Sequence, residues 1–166
     1  MRKFIAAKGF QQAPYTTSLE LLGFIRAEGS PDQQAMISEL FQKIVFYDDR
    51  VVEAVAARRA DGKYQVSLQL HAARYDADGA GNEKPGRLDD WMDVGVFARG
   101  PAGHEGEGRV LYLQRHRITH TQTSLSVLVD ELPFEAGIDP YNKLIDRVPS
   151  DNRMRVSWRE HAVLNR

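Results

Sequence analysis

The chain has no cysteine. That absence excludes disulfide staples, thiolate metal ligands and a cysteine nucleophile, and it leaves the redox compartment open. Charge of either sign is not in excess. The 22 basic and 23 acidic side chains leave a formal net charge of -1. No overall field therefore draws the chain to nucleic acid, an anionic membrane or an acidic substrate. No apolar run approaches the roughly 18 residues of a membrane span, so direct membrane insertion by this segment is not expected. The start, MRKFIAAKGF, is basic, but its apolar stretch is too short for a signal peptide. There is no G-x-S-x-G elbow, no G-x-G-x-x-G and no Walker loop. What is present is 166 residues with 42% hydrophobic and 27% charged side chains, enough for one ordinary globular core.

Two helices are expected first. Thr17 and Glu20 have capping-box spacing, Leu21, Leu22, Phe24 and Ile25 come next, and Gly29 ends the run. Ser30, Pro31 and Gln33 then form a second start signal. Met36, Ile37, Leu40, Phe41, Ile44 and Val45 recur at helical spacing. Residues 1–50 thus read as a helical hairpin segment packed on a β domain formed by the rest of the chain. From Val51 the period becomes two. Strands are expected from Val51, from Tyr64 to Ala72, from Trp91 to Ala98, from Arg109 to Ile118, from Gln122 to Val129 and from Met154 to Trp158. Asp61-Gly62 suits a two-residue type I′ hairpin turn. Strands in hairpin order with wet outer faces predict an antiparallel β-sandwich of immunoglobulin-like type over residues 51–166. Its expected inward set is Val66, Leu68, Leu70, Val94, Val96, Leu111, Leu113, Leu125, Val127 and Val129.

The chemistry-bearing patterns are weak. His116 and His120 share the spacing of H-E-x-x-H, but Arg117 stands in place of the glutamate and the segment has strand character. Asp76, Asp78, Gly81 and Glu83 resemble a calcium loop, yet the residue placed for the bidentate glutamate is Arg87. A solvated hairpin turn suits them better, with a weak cation as the other option. Arg147, Arg153, Arg155 and Arg159 are interleaved with acids and read as a solvated face. No catalytic and no metal-ligating residue is assigned. A small enzyme built on His116 and His120 is the reading these patterns favour least.

The connection from Pro133 to Asn152, about 20 residues, is too long to be idle in a compact domain. Asp139 before Pro140 sets a turn. Ile138, Tyr141, Leu144 and Ile145 are expected to pin the segment down, with Asp146 accepting backbone N–H groups or meeting Arg147. Ile138, Asp139, Pro140, Tyr141, Leu144, Ile145, Asp146 and Arg147 are therefore expected to form a clasp or an interface.

The run GIDPYNKLIDRVPSDN, Gly137 to Asn152, resembles the C-terminal signature of bacterial membrane-attached aminopeptidase-N-like proteins. These join transporter-permease-like segments to a gluzincin-class zinc peptidase. PYTTSLELLGFIRA, SELFQKIVFYDDRVVEA, DGKYQVSLQL and DDWMDVGVFA also resemble that family's tail, so the likeness runs from about Pro14 to Asn152. The family's H-E-x-x-H and G-x-M-E-N motifs have no counterpart here, so the resemblance carries over no catalytic residue. It implies a non-catalytic C-terminal accessory domain, with no cofactor of its own and with zinc in the parent's catalytic domain. Its partners would be the parent's catalytic and helical domains. It would be a soluble domain of an inner-membrane protein, and Met1 would open a fragment lying after catalytic and helical regions. The alternative is a free-standing β-sandwich binding module for a protein or peptide partner.

Overall fold

The computed structural model describes residues 1–100 and 108–159. The chain divides into two compact units, Met1–Val45 with Asp76–Glu83, and Phe46–Tyr75 with Lys84–Arg166. Among the described residues no helix is long and apolar enough to cross a membrane.

The first unit carries α1 (Arg2–Lys8), α2 (Ser18–Glu28) and α3 (Pro31–Gln42). The capping box at the start of α2 is complete: Glu20 N–H donates to Thr17 Oγ1 at 3.3 Å, and Thr17 N–H donates to Glu20 Oε2 at 2.9 Å. The Glu20 carboxylate also meets Lys8 Nζ at 2.5 Å, and these bonds hold its pKa down at about 2. Ser30 N–H donates to Gln33 Oε1 at 3.0 Å, the second box. Gln34 bridges the turn between these helices through Arg26 and Gly29 carbonyls, both at 2.9 Å. The helix α1 was not anticipated. Phe4 on it meets Phe24 edge to face, with centroids 5.5 Å apart.

The second unit is a β-sandwich. One sheet contains β1 (Ile44–Arg58), β2 (Tyr64–Ala77), β3 (Glu83–Pro85), β6 (Gln122–Val129) and β9 (Ser157–Trp158). Its order is β3-β2-β1-β9, with β6 also paired to β2. The other is β5-β4-β7-β8, made by β4 (Asp90–Phe97), β5 (Val110–Ile118), β7 (Glu135–Ile138) and β8 (Arg153–Arg155). Alternation puts Val66, Leu68 and Leu70 of β2 and Met92, Val94 and Val96 of β4 into the core, each at most 1% exposed.

Four expectations are corrected. The helical pattern through Ile44 and Val45 ends early. α3 stops at Gln42, and residues 44–50 belong to β1, because the β-branched and aromatic run Ile44-Val45-Phe46-Tyr47 is taken by the sheet. The turn at Asp61-Gly62 is not type I′, since only Gly62 has positive φ, at 84°. Gly62 N–H bonds Arg59 O and Arg59 N–H bonds Lys63 O, a type I turn closed by a left-handed glycine. Third, Leu111 is only half-buried and Leu113 is 38% exposed. β5 is an edge strand, and Leu113 lies opposite Gly95 on the face turned away from Val94 and Val96. Leu125 on β6 is likewise only half-buried. Fourth, the segment from Pro133 contains a strand, β7, which lies inside the second sheet between β4 and β8.

Leu68→Ala should cost about 2–5 kcal/mol in urea denaturation, while Leu113→Ala should cost below about 1 kcal/mol because water already reaches its side chain. Similar losses at the two positions would contradict this division of the strands.

Candidate functional site: a stitch between the sheets

The segment from Pro133 to Arg159 passes between the sheets repeatedly. β7 pairs with β4, with Val94 opposite Ile138 and Val96 opposite Ala136. The chain then leaves to run along the outer edge of β1 and returns as β8 beside β7, with Glu135 opposite Arg155 and Gly137 opposite Arg153. It crosses once more as β9, parallel to β1, with Val55 opposite Ser157.

Asp139 makes the first corner. Its backbone is left-handed, φ 39°, and its N–H donates to Asp93 O at 2.7 Å. Its carboxylate accepts the N–H groups of Lys143 at 3.1 Å and Leu144 at 2.8 Å. This is the side-chain-to-backbone bonding that suits Asp to turns. The corner lies over the outer face of β4. Pro140 sits so close to Gly95 and Gly137 that an added Cβ would come within 3.3 Å and 3.0 Å of its ring. Tyr141 meets the Phe97 ring edge to face at 6.1 Å, the Arg153 guanidinium stacks on Phe97 at 4.3 Å, and Lys143 Nζ contacts Asp93 at 2.6 Å. β4 is thus covered on both faces.

The second contact is with β1. Alternate residues of a strand point their N–H groups to one edge, and here three in succession are met by the stitch. Tyr47 N–H donates to Ile145 O at 2.9 Å, Asp49 N–H to Asp146 Oδ2 at 2.7 Å, and Val51 N–H to Asp151 O at 3.2 Å. Arg147 N–H returns a bond to Tyr47 O at 3.1 Å. The Asp146 carboxylate stands where a strand carbonyl would be, and its Oδ1 accepts Val148 N–H at 2.7 Å. Arg147 itself stacks on Tyr75 at 4.6 Å and Phe46 at 5.9 Å.

Under this seam lie polar groups that a core does not ordinarily hold. Asp49 and Asn152 are fully buried, and neither the Asp49 carboxyl oxygens nor the Asn152 side-chain amide has a hydrogen-bond partner among the described residues. Burial first, and then the carboxylates of Asp146, Asp139, Asp90 and Asp48, push the Asp49 pKa up to about 8. Asp49 therefore holds its proton at neutral pH. Burial also raises Asp139 and Asp151. Nearby, Arg74 and Asp90 pair at 3.1 Å while mostly buried, and Tyr47 Oη contacts the same Asp90 oxygen at 3.1 Å.

The residues expected to form a clasp are brought together, but by different means than expected. Ile138, Asp139 and Pro140 are buried and Leu144 is half-buried. Tyr141 is 48% exposed and Ile145 66% exposed, so these two do not pin the segment by apolar burial. The loop is held by Asp139, Asp146 and backbone pairing instead. Sequence reading missed Asp49 and Asn152, because Asp and Asn ordinarily face water or close turns. The one available signal was that Asp49 sits between Tyr47 and Val51 in the inward phase of a strand.

The other patterns resolve locally. His116 Nε2 lies 2.7 Å from Tyr112 Oη on β5, while His120 contacts Thr119 in the turn beyond. Asp78 accepts N–H groups of Ala80 and Asn82 at 2.9 Å each, so that its carboxylate closes its own turn, with Gly81 at φ 85°. Arg153 pairs with Glu135 at 2.7 Å, and Arg155 stacks on Phe134 at 5.3 Å. Among the described residues no group of three or more His, Cys, Asp or Glu is arranged to hold a metal ion. In comparison with known proteins, no family model, no curated protein and no solved structure matches this chain.

Two outcomes are expected. Asp146→Ala removes the acceptor for two backbone N–H groups, one of them on a core strand, and should cost about 2–4 kcal/mol, more than Leu144→Ala at about 1–2 kcal/mol. Urea titration of both variants checks the order. The second concerns pH. Asp49 binds its proton more tightly folded than unfolded, so its favourable contribution is complete below about pH 4 and is lost as pH rises through about 8. Asp49→Asn should flatten the decline in unfolding free energy between these limits. An unchanged pH slope in that variant would show that Asp49 is not the group responsible.

Proposed function

We propose that this chain is a non-catalytic C-terminal accessory domain of a membrane-attached, zinc-aminopeptidase-like protein, supporting or orienting the parent's catalytic region. The observation that carries the reading is the character of the run from Gly137 to Asn152. Its resemblance to that family's C-terminal signature coincides with residues of unusual local demand. Gly137 admits Pro140, Asp139 takes a left-handed corner and captures two N–H groups, Asn142 is also left-handed at φ 50°, and Asp146 caps the edge of β1. A run constrained in this way has few sequence solutions. The absence of H-E-x-x-H from the chain fits a supporting role for this piece, with the zinc and the peptide chemistry held by the parent's catalytic domain.

Two measurements test the proposal. Reading the gene on the 5′ side of the Met1 codon should reveal an in-frame H-E-x-x-H segment, and an in-frame stop codon close upstream with no such segment would overturn the parentage. Protein prepared without chelators should release no N-terminal residue from peptide substrates and hold no stoichiometric zinc. One zinc per chain, lost on His116→Ala, would instead favour a small enzyme. The alternative, a free-standing binding module for a protein or peptide, gains weight if the gene is complete without a peptidase region.

A further inference from the structure

The sheet edges of the sandwich are protected unequally. An exposed edge strand presents unpaired N–H and C=O groups, and proteins ordinarily blunt such edges with charge, proline, shortness or a covering segment. β3 is three residues long and contains Lys84 and Pro85. β8 is three residues long and bounded by Arg153 and Arg155. β9 has two residues, and Tyr47, Asp49 and Val51 on the same edge of β1 are met by the stitch. β5 is long but carries Arg115, His116 and Arg117.

β6 has none of these devices. Its eight residues, QTSLSVLV, contain no charge, no proline and no glycine. One edge pairs with β2 along its whole length, from Gln122 opposite His71 to Val129 opposite Tyr64. Among the described residues no backbone group pairs with the other edge. Its outward side chains are held in place by β2: Ser126 accepts from Gln65 at 2.9 Å, and Ser124 donates to Gln69 at 2.7 Å. The strand is therefore uncharged and preorganised.

We propose that β6 is a homodimerisation edge, on which β6 of a second copy of this chain adds antiparallel across a two-fold axis. The choice of a second copy rests on self-complementarity. A two-fold axis through Leu125 sets Leu125 against its symmetry mate, Thr123 against Val127 and Ser124 against Ser126. Each pair then lies on one face of the continuous sheet, and no like charges meet. The same operation at the middle of β5, Gln114, would leave the two copies' Arg115 side chains as diagonal neighbours across the axis, a like-charge contact. Leu128, 45% exposed, falls opposite Gln122 and loses water on pairing.

The absence of cysteine makes a direct test available, because each introduced thiol is the only one in the chain. Directly opposed residues of an antiparallel pair lie about 4.5–5.5 Å apart at Cα, within the span of a disulfide. Mild oxidation of the full chain carrying Leu125→Cys should give a covalent dimer, whereas Ser67→Cys, on β2 of the same sheet, should stay monomeric. In sedimentation equilibrium the unmodified chain should show a concentration-dependent monomer–dimer equilibrium. The double variant Ser124→Lys/Ser126→Lys should be monomeric with an unchanged melting curve, and so should Ser124→Glu/Ser126→Glu. An equal mixture of the two should recover the dimer, an outcome that a merely misfolded edge cannot produce. A chain that is monomeric at every concentration overturns the proposal. So does a dimer that survives the lysine substitutions, or a mixture of the charged variants that fails to associate.

Discussion

The outer edge of β1 is the constraint on which the second unit depends. A strand of 15 residues in one sheet leaves a row of N–H and C=O groups to be satisfied, and burial makes each unsatisfied group costly. Among the described residues, it is the last stretch of the chain that reaches that row. Ile145, Asp146 and Asp151 meet Tyr47, Asp49 and Val51, and β9 with Arg159 N–H meets Val55 and Ala56. Because the same stretch also supplies β7 and β8 to the other sheet, sealing the edge and joining the sheets are one event. Glycine is also needed at positions 95 and 137, since a Cβ at 95 would meet the Phe97 ring at 2.7 Å and one at 137 would meet Asn152 O at 2.9 Å, with Pro140 next at 3.3 Å and 3.0 Å.

The buried acids are a consequence of the same design. Asp146 can replace a strand carbonyl because it carries two oxygens on a short stem, so that one serves β1 and the other closes its own turn at Val148. Placing that carboxylate against β1 puts negative charge beside Asp49, whose carboxyl oxygens have no hydrogen-bond partner among the described residues. The two residues thus receive opposite treatment from one arrangement. Asp146 is supplied with backbone donors, while Asp49 is desolvated and kept protonated. A neutral buried carboxyl costs far less than an ionised one, which is how the seam tolerates Asp49 at neutral pH.

Much of this was legible in the sequence, and the failures have identifiable causes. Period-two alternation located β2, β4 and β6, because each carries apolar residues at alternate positions. The capping boxes of α2 and α3 were legible because they are local. The start of β1 was not, since Leu40, Phe41, Ile44 and Val45 satisfy a helical spacing until the sheet takes the last two. β7 was hidden because Glu-Ala-Gly-Ile is short and its pairing partners are distant in sequence. Leu111 and Leu113 alternate like core residues, but alternation says which residues share a face and not whether anything covers that face. Asp139 and Asp146 were legible as turn formers. That one of them would finish a strand 97 residues away was not, because the N–H groups needing a partner are a property of the assembled sheet.

The geometry also separates, within the distinctive C-terminal run, the residues the domain needs for itself from those it does not. Gly137, Ile138, Asp139, Pro140 and Asn152 are buried, and each is fixed by contacts inside the unit. Lys143 and Asp146 are committed to Asp93 and to β1. Ile145 and Val148 are different. They lie three residues apart, 66% and 49% exposed, while Ile145 O accepts Tyr47 N–H of β1 and Val148 N–H donates to Asp146 Oδ1. An exposed aliphatic side chain on a mobile loop loses entropy when a partner orders it, whereas one on a backbone already fixed loses only its rotamer freedom. The stitch therefore does more than close the sandwich. It presents Ile145 and Val148 on backbone that is already fixed, so a contact made there would cost less entropy than one made by a mobile loop.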